Sequence, residues 1–154
     1  MNVFSKLHAL SMSFDALLTE WGGALLGLAL RIFVGWQFLS AGWVKVNNWQ
    51  GTLSLFREEY TVPILPPEVA AVAGAGGELI FPILLIVGLF SRPAALGLFA
   101  VNAMAVISYP ALFDLPCLAA INDHKYWGII LLVLVFFGPG KLTLDNLLKK
   151  ISTK

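Results

Sequence analysis

Four long apolar runs divide this chain, and together they leave few folds open to it. The spans they define cover residues about 22–45, 68–90, 93–113 and 122–138. At about 1.5 Å rise per residue, a helix over each of the first three crosses a hydrocarbon core of about 30 Å. The fourth is shorter, because Asp123, His124 and Lys125 must lie at or near the headgroups; tilt or a thinned bilayer accommodates it. Composition agrees: 58% hydrophobic residues, 12% charged and a mean hydropathy of +0.83 lie outside the range of an ordinary soluble domain. The expected fold is all-α, an integral membrane four-helix bundle forming one membrane domain over residues 1–154.

An even number of spans puts both termini on one side. Lys6, Arg92, Lys141, Lys149, Lys150 and Lys154 share that side, against Lys45, Arg57 and Lys125 on the other. The positive-inside rule therefore predicts cytoplasmic termini. A net charge of +1 offers no basic stripe for nucleic acid.

Residues 1–21 lack the pattern of a cleaved secretory signal, so no processing is expected. Val3, Phe4, Leu7, Leu10, Phe14, Leu17, Leu18 and Trp21 instead recur at spacings of three and four. This predicts an amphipathic helix in the interface before the first span, or one packed on a partner subunit. Between spans one and two, Trp49, Leu53, Leu55, Phe56 and Tyr60 predict a short outer-face helix, closed by Pro63, Pro66 and Pro67. Residues 139–154 form a basic cytoplasmic tail suited to anionic headgroups. The lone Cys117, in the outer loop before the fourth span, excludes an internal disulfide.

Charge inside a span is expensive and marks a site or a structural pair. Arg31 and Glu78 stand near the middle of spans one and two. Gly23, Gly27, Arg31 and Gly35 step by four, as do Gly74, Glu78 and Pro82, so each charge lies on a helix-facing stripe. Pro82 is expected to loosen its helix one turn from Glu78. Counted from the cytoplasmic ends, Arg31 lies about 13 Å in, Glu78 about 18 Å and Asn102 about 14 Å. These depths predict that Arg31, Glu78 and Asn102 converge inside the bundle. A second polar set, Gln37, Ser40, Lys45, Tyr109, Asp123 and His124, belongs to the outer half, with Trp43 and Trp127 as boundary aromatics. His124 is expected to be an exposed residue at a helix start, or a proton relay to the outside.

Several chemistries lack their residues. His8 and His124 fall at opposite interfaces and cannot sandwich a haem iron. Ligands for a tetrahedral zinc and a glycine-rich nucleotide loop are missing, so no metal, haem or nucleotide is expected.

Several motifs follow one another along the chain: Leu30-Arg31 with the following Gly35-Trp36, Gly42-Trp43-Val44-Lys45, Leu55 to Pro63, Leu65-Pro66-Pro67-Glu68, Gly77-Glu78-Leu79 with Pro82, Gly88-Leu89 to Arg92, and Gly138-Pro139-Gly140 with Leu144-Asp145. In that order and spacing the chain resembles the DoxX family of small four-helix bacterial membrane proteins. A more apolar insert at 111–120 departs from the pattern. The resemblance implies a bacterial inner-membrane location and a link to thiosulfate:quinone oxidation or redox-stress complexes.

On that resemblance the expected role is a quinone-associated subunit that serves or anchors a separate oxidoreductase. Arg31 and Glu78 would be catalytic, Arg31 donating to a quinone carbonyl and Glu78 handling the proton; Asn102, Gln37 and Tyr109 would complete the cofactor site. Arg31 and Glu78 as a purely structural pair is the competing reading. Two other functions stay open: a non-enzymatic scaffold or assembly factor, and a small-solute carrier subunit. Membrane lipid and a partner protein or second copy are the expected partners.

Overall fold

The computed structural model describes residues 3–113 and 119–153, and Cys117 lies outside them. Among the described residues there is no strand. Helix α1 spans Val3–Leu17, and α2, Gly23–Asn47, is the first long apolar helix. A short α3, Trp49–Glu58, precedes α4, Pro67–Val87; α5 is Ser91–Ser108, α6 Ala119–Phe137 and α7 Leu144–Ser152. Four helical segments are long and apolar enough to cross a membrane, ending in α2, α4, α5 and α6. In lipid a helix satisfies its own backbone groups, which is why these runs settle as they do.

Two boundaries differ from the sequence reading. The amphipathic stretch from Val3 is no separate helix at the entry to span one: α1 continues through a π turn, Leu18–Gly22, into α2, making one helix of 45 residues, Val3–Asn47. Nothing in Leu18 to Gly23 stops a helix, and Gly22 and Gly23 keep helical angles. The apolar residues of α1, Met12 off the predicted stripe among them, are exposed. The third span ends at Ser108 rather than 113, because Pro110 begins a separate 3-10 turn, Pro110–Phe113.

The helices pack in a ring, α2 on α4, α4 on α5, α5 on α6 and α6 back on α2. In the half nearer the termini Val34, Phe38, Leu85, Ala94, Ala95, Leu98, Leu131 and Leu134 form a closed core. At the far end α3 lies on the first turns of α4, with Phe56 against Ala70 and Ala71. Asn48 caps α3 by accepting from the Gly51 amide at 3.2 Å. Apolar side chains on the outer surface, Leu25, Phe33, Trp36, Ile80, Ile83 and Ile129 among them, are those expected to meet lipid.

The terminal segment is a helix rather than a plain basic tail. Leu144, Leu147, Leu148 and Ile151 of α7 recur at spacings of three and four, with Lys149 and Lys150 in its last turn.

Candidate functional site

Arg31 and Glu78 do not meet. The α2 and α4 helices are antiparallel and staggered, so a Cβ on Gly35 would strike Ile86 and one on Gly42 would strike Glu78. Arg31 is therefore level with the end of α4, while Glu78 lies about 10–12 Å further along it. The predicted depths went astray because α2 begins well before α4 ends, so positions counted from each helix's own terminus have no common origin.

Arg31 is completely buried and spends its donors on carbonyls. Its Nη1 donates to Leu85 and Ile86 at 3.3 and 3.1 Å, its Nε to Gly27 at 3.3 Å, and its Nη2 to Leu142. The carbonyls of Leu85 and Ile86 belong to the last turn of α4 and have no partner within a regular helix. Gly88 follows in the left-handed conformation at φ 78°, where an added Cβ would lie 2.6 Å from the guanidinium. Next to it Asp145 accepts from the amides of Phe90 and Ser91 and from the Ser91 hydroxyl, at 2.9 to 3.0 Å, capping α5. Burial alone would raise the Asp145 carboxyl; these hydrogen bonds and the Arg31 charge hold it below its usual range. Arg31 and Asp145 thus tie the α4–α5 turn to the segment after α6, a structural role.

Glu78 is paired with Lys45. The Lys45 Nζ lies 2.6 and 2.8 Å from the two carboxylate oxygens, and both side chains are largely buried. Lys45 comes from the last turn of α2, and the bare Gly42 one turn earlier lets the Glu78 backbone approach. The pair forms part of the wall of a cavity of about 550 Å³ enclosed by α2, α3, α4, α5 and α6 in the half of the bundle away from the termini.

The rest of that wall is mainly apolar, with Phe38, Phe56, Phe81, Val101 and Trp127 the largest members. Ala73 of α4, with Ala100 and Met104 of α5, line the cavity and are also exposed, which opens it sideways between these helices. Polar groups are few and convergent: Gln37, Tyr60, Ser108, Tyr109 and His124 join the ion pair. Tyr60 and Tyr109 meet edge to face at 5.3 Å. Burial raises the Tyr60 phenol, and the charge of Glu78 and then Tyr109 and Glu59 add to it, so the phenol stays protonated and able to donate. The Ser108 hydroxyl is sealed in the wall and has no hydrogen-bond partner among the described residues.

Asn102 meets neither Arg31 nor Glu78. It binds His124 twice, its Nδ2 donating to the His124 carbonyl at 2.9 Å and its Oδ1 standing 2.8 Å from Nδ1. His124 is accordingly half-buried on the cavity wall rather than an exposed helix-start residue, its ring edge-on to Trp127 at 4.9 Å. Of the remaining outer set, Ser40, Trp43 and Asp123 are exposed and absent from the cavity.

A model of the DoxX family matches residues 26–111, which hold α3, α4, α5 and the Lys45–Glu78 pair, while Asp123, His124, Trp127, Leu142 and Asp145 lie beyond the match. The chain belongs to the DoxX family. It is also similar to a Haemophilus influenzae protein described as uncharacterized, 34% identical over 129 residues that cover 80% of this chain and 83% of the relative. No solved structure matches it.

For this DoxX protein, sequence reasoning found Glu78, Gln37 and Tyr109 of the cavity but gave Glu78 the wrong partner. The missed signal was Gly42: a glycine one turn before Lys45, on the stripe continued from Gly35, marks where α4 comes closest. Ser108 and Tyr60 carry no comparable signal, because a serine or tyrosine near a helix end is ordinarily a boundary residue. Chemically, the DoxX cavity offers a donor in Lys45, acceptors in Glu78, phenol donors in the tyrosines, and an apolar surround that strengthens each. The candidate metal groups among the described residues number none.

Proposed function

We propose that this DoxX protein is a quinone-associated subunit of the bacterial inner membrane, with cytoplasmic termini, serving a separate oxidoreductase. One observation carries the reading: a mainly apolar cavity, open sideways between α4 and α5, holds a buried Lys45–Glu78 pair in its wall. Such a chamber suits a lipid-soluble ring with polar edges, admitted from the bilayer. A quinone, when bound, supplies reversible uptake of two electrons and two protons. Lys45 has a third N–H beyond the two contacts to Glu78, and it would donate to a ring oxygen. Glu78 would hold or release a proton at its carboxylate, Tyr60 and Tyr109 would orient the ring from the far end, and Phe81 and Trp127 would exclude water. Arg31 has no place in this site; its donors are committed to backbone carbonyls.

In this reading the separate oxidoreductase would exchange the electrons with the bound ring. The exposed apolar α1 favours a second reading, a scaffold without redox activity that recruits a protein through that helix. The two separate experimentally. Quinone extracted from protein purified in mild detergent, lost in the Glu78→Gln variant while partner capture persists, supports the quinone subunit. Partner capture lost with Leu7→Asp and Phe14→Asp in protein that never carries quinone supports the scaffold.

A further inference from the structure

The contact between Asn102 and His124 fixes more than a ring position. A backbone carbonyl can only accept, so the Asn102 atom at the His124 carbonyl must be the amide nitrogen, 2.9 Å away. The Asn102 oxygen is then the atom facing Nδ1 at 2.8 Å, and Nδ1 must carry the proton. Neutral His124 is therefore left with an unprotonated Nε2, an acceptor and nothing else. This ring lines the cavity, and Nε2 makes no hydrogen bond among the described residues. Gly128, one turn on, keeps the arrangement open: a Cβ there would lie 3.3 Å from the Asn102 amide. Ser108, 3% exposed, lines the same cavity, and its hydroxyl has no hydrogen-bond partner among the described residues.

We propose that His124, positioned by Asn102, is the hydrogen-bond acceptor for a ligand hydroxyl in this cavity, so that the site takes the reduced, hydroxyl-bearing quinol in preference to the quinone. This rests on the reading of the cavity as a quinone site. Both forms present oxygens to Lys45, but only the quinol has a proton to give Nε2. The quinone leaves that lone pair unmatched in apolar surroundings, a loss of about tenfold in affinity. Asn102 is a positioning residue, acting through His124.

The test is binding of decylubiquinol and decylubiquinone to the full-length protein in mild detergent under anaerobic conditions. The quinol is expected to bind about tenfold more tightly. His124→Asn keeps an amide nitrogen where Nδ1 stands but removes Nε2. It should abolish the preference: quinone affinity rises because no lone pair is left unmatched, and quinol affinity falls because its hydroxyl loses its acceptor. Nitrogen NMR on the His8→Gln protein supplies a readout that a merely structural contact would not move: the Nδ1–H tautomer in the parent, lost in Asn102→Leu. Equal affinity for the two forms, a preference that survives His124→Asn, or an Nε2–H tautomer overturns this inference while leaving the quinone site standing. Failure of both forms to bind takes down both readings.

Discussion

Lys45 grips both carboxylate oxygens of Glu78, at 2.6 and 2.8 Å, within the wall of the cavity. A buried pair of this kind stabilises little in itself, but either member alone is an uncompensated charge. Glu78→Leu or Lys45→Met should each cost about 3–5 kcal/mol. The double variant should recover most of that stability, and thermal unfolding in detergent measures the cycle. Ligand binding should fail to recover with it, because both polar contacts are gone.

Arg31 predicts the opposite separation. Arg31→Met strands carbonyls of the last α4 turn, and at about 1.5–3 kcal/mol for a hydrogen bond to a charged group the loss should reach several kcal/mol. Lysine cannot replace the fork that reaches Leu85, Ile86 and Leu142, so Arg31→Lys should rescue only part. The folded fraction of either variant should bind ligand with unchanged affinity. A specific loss of affinity would return Arg31 to the site.

Asp145 sets an acid limit. Its folded pKa lies below the unfolded value of about 3.9, so its contribution is complete above that value and is lost as pH falls through the folded one. Asp145→Asn should lower stability by about 1–2 kcal/mol at neutral pH. The difference from wild type should shrink steadily on acidification below about pH 4. Melting curves across that interval check it.

The glycines of α2 are not equivalent. An added methyl at Gly42 would stand 2.9 Å from the Glu78 Cβ, so Gly42→Ala must part α2 from α4, at about 1–3 kcal/mol. Nothing lies within 4 Å of the same position at Gly23. Gly23→Ala should therefore be neutral or stabilise by up to about 1 kcal/mol, through helix propensity. Both are read from denaturation midpoints.

The apolar runs made the all-α fold and its four long helices legible, because only internally bonded backbone survives in lipid. The short helix α3 was legible as well, from Leu53, Phe56 and Tyr60 beside three prolines. What the sequence hid was stagger. Arg31 and Glu78 share a depth only if both helices start level, whereas the end of α4 is met by Arg31 and its middle by Gly42. Glu78 was recognisable from its cost in an apolar run; its partner depended on packing between helices. Asn102 looked like a third member of the buried set, yet its amide was satisfied by His124 from the neighbouring α6.

The central claim is that the Lys45–Glu78 cavity is a quinone site, and equilibrium dialysis of a short-chain quinone against the purified protein tests it most directly. The account predicts saturable binding of one quinone per chain, weakened at least about tenfold in the stable Lys45→Met, Glu78→Leu double variant. A folded wild-type protein that shows no saturable binding, or a double variant that binds as well as wild type, would contradict it.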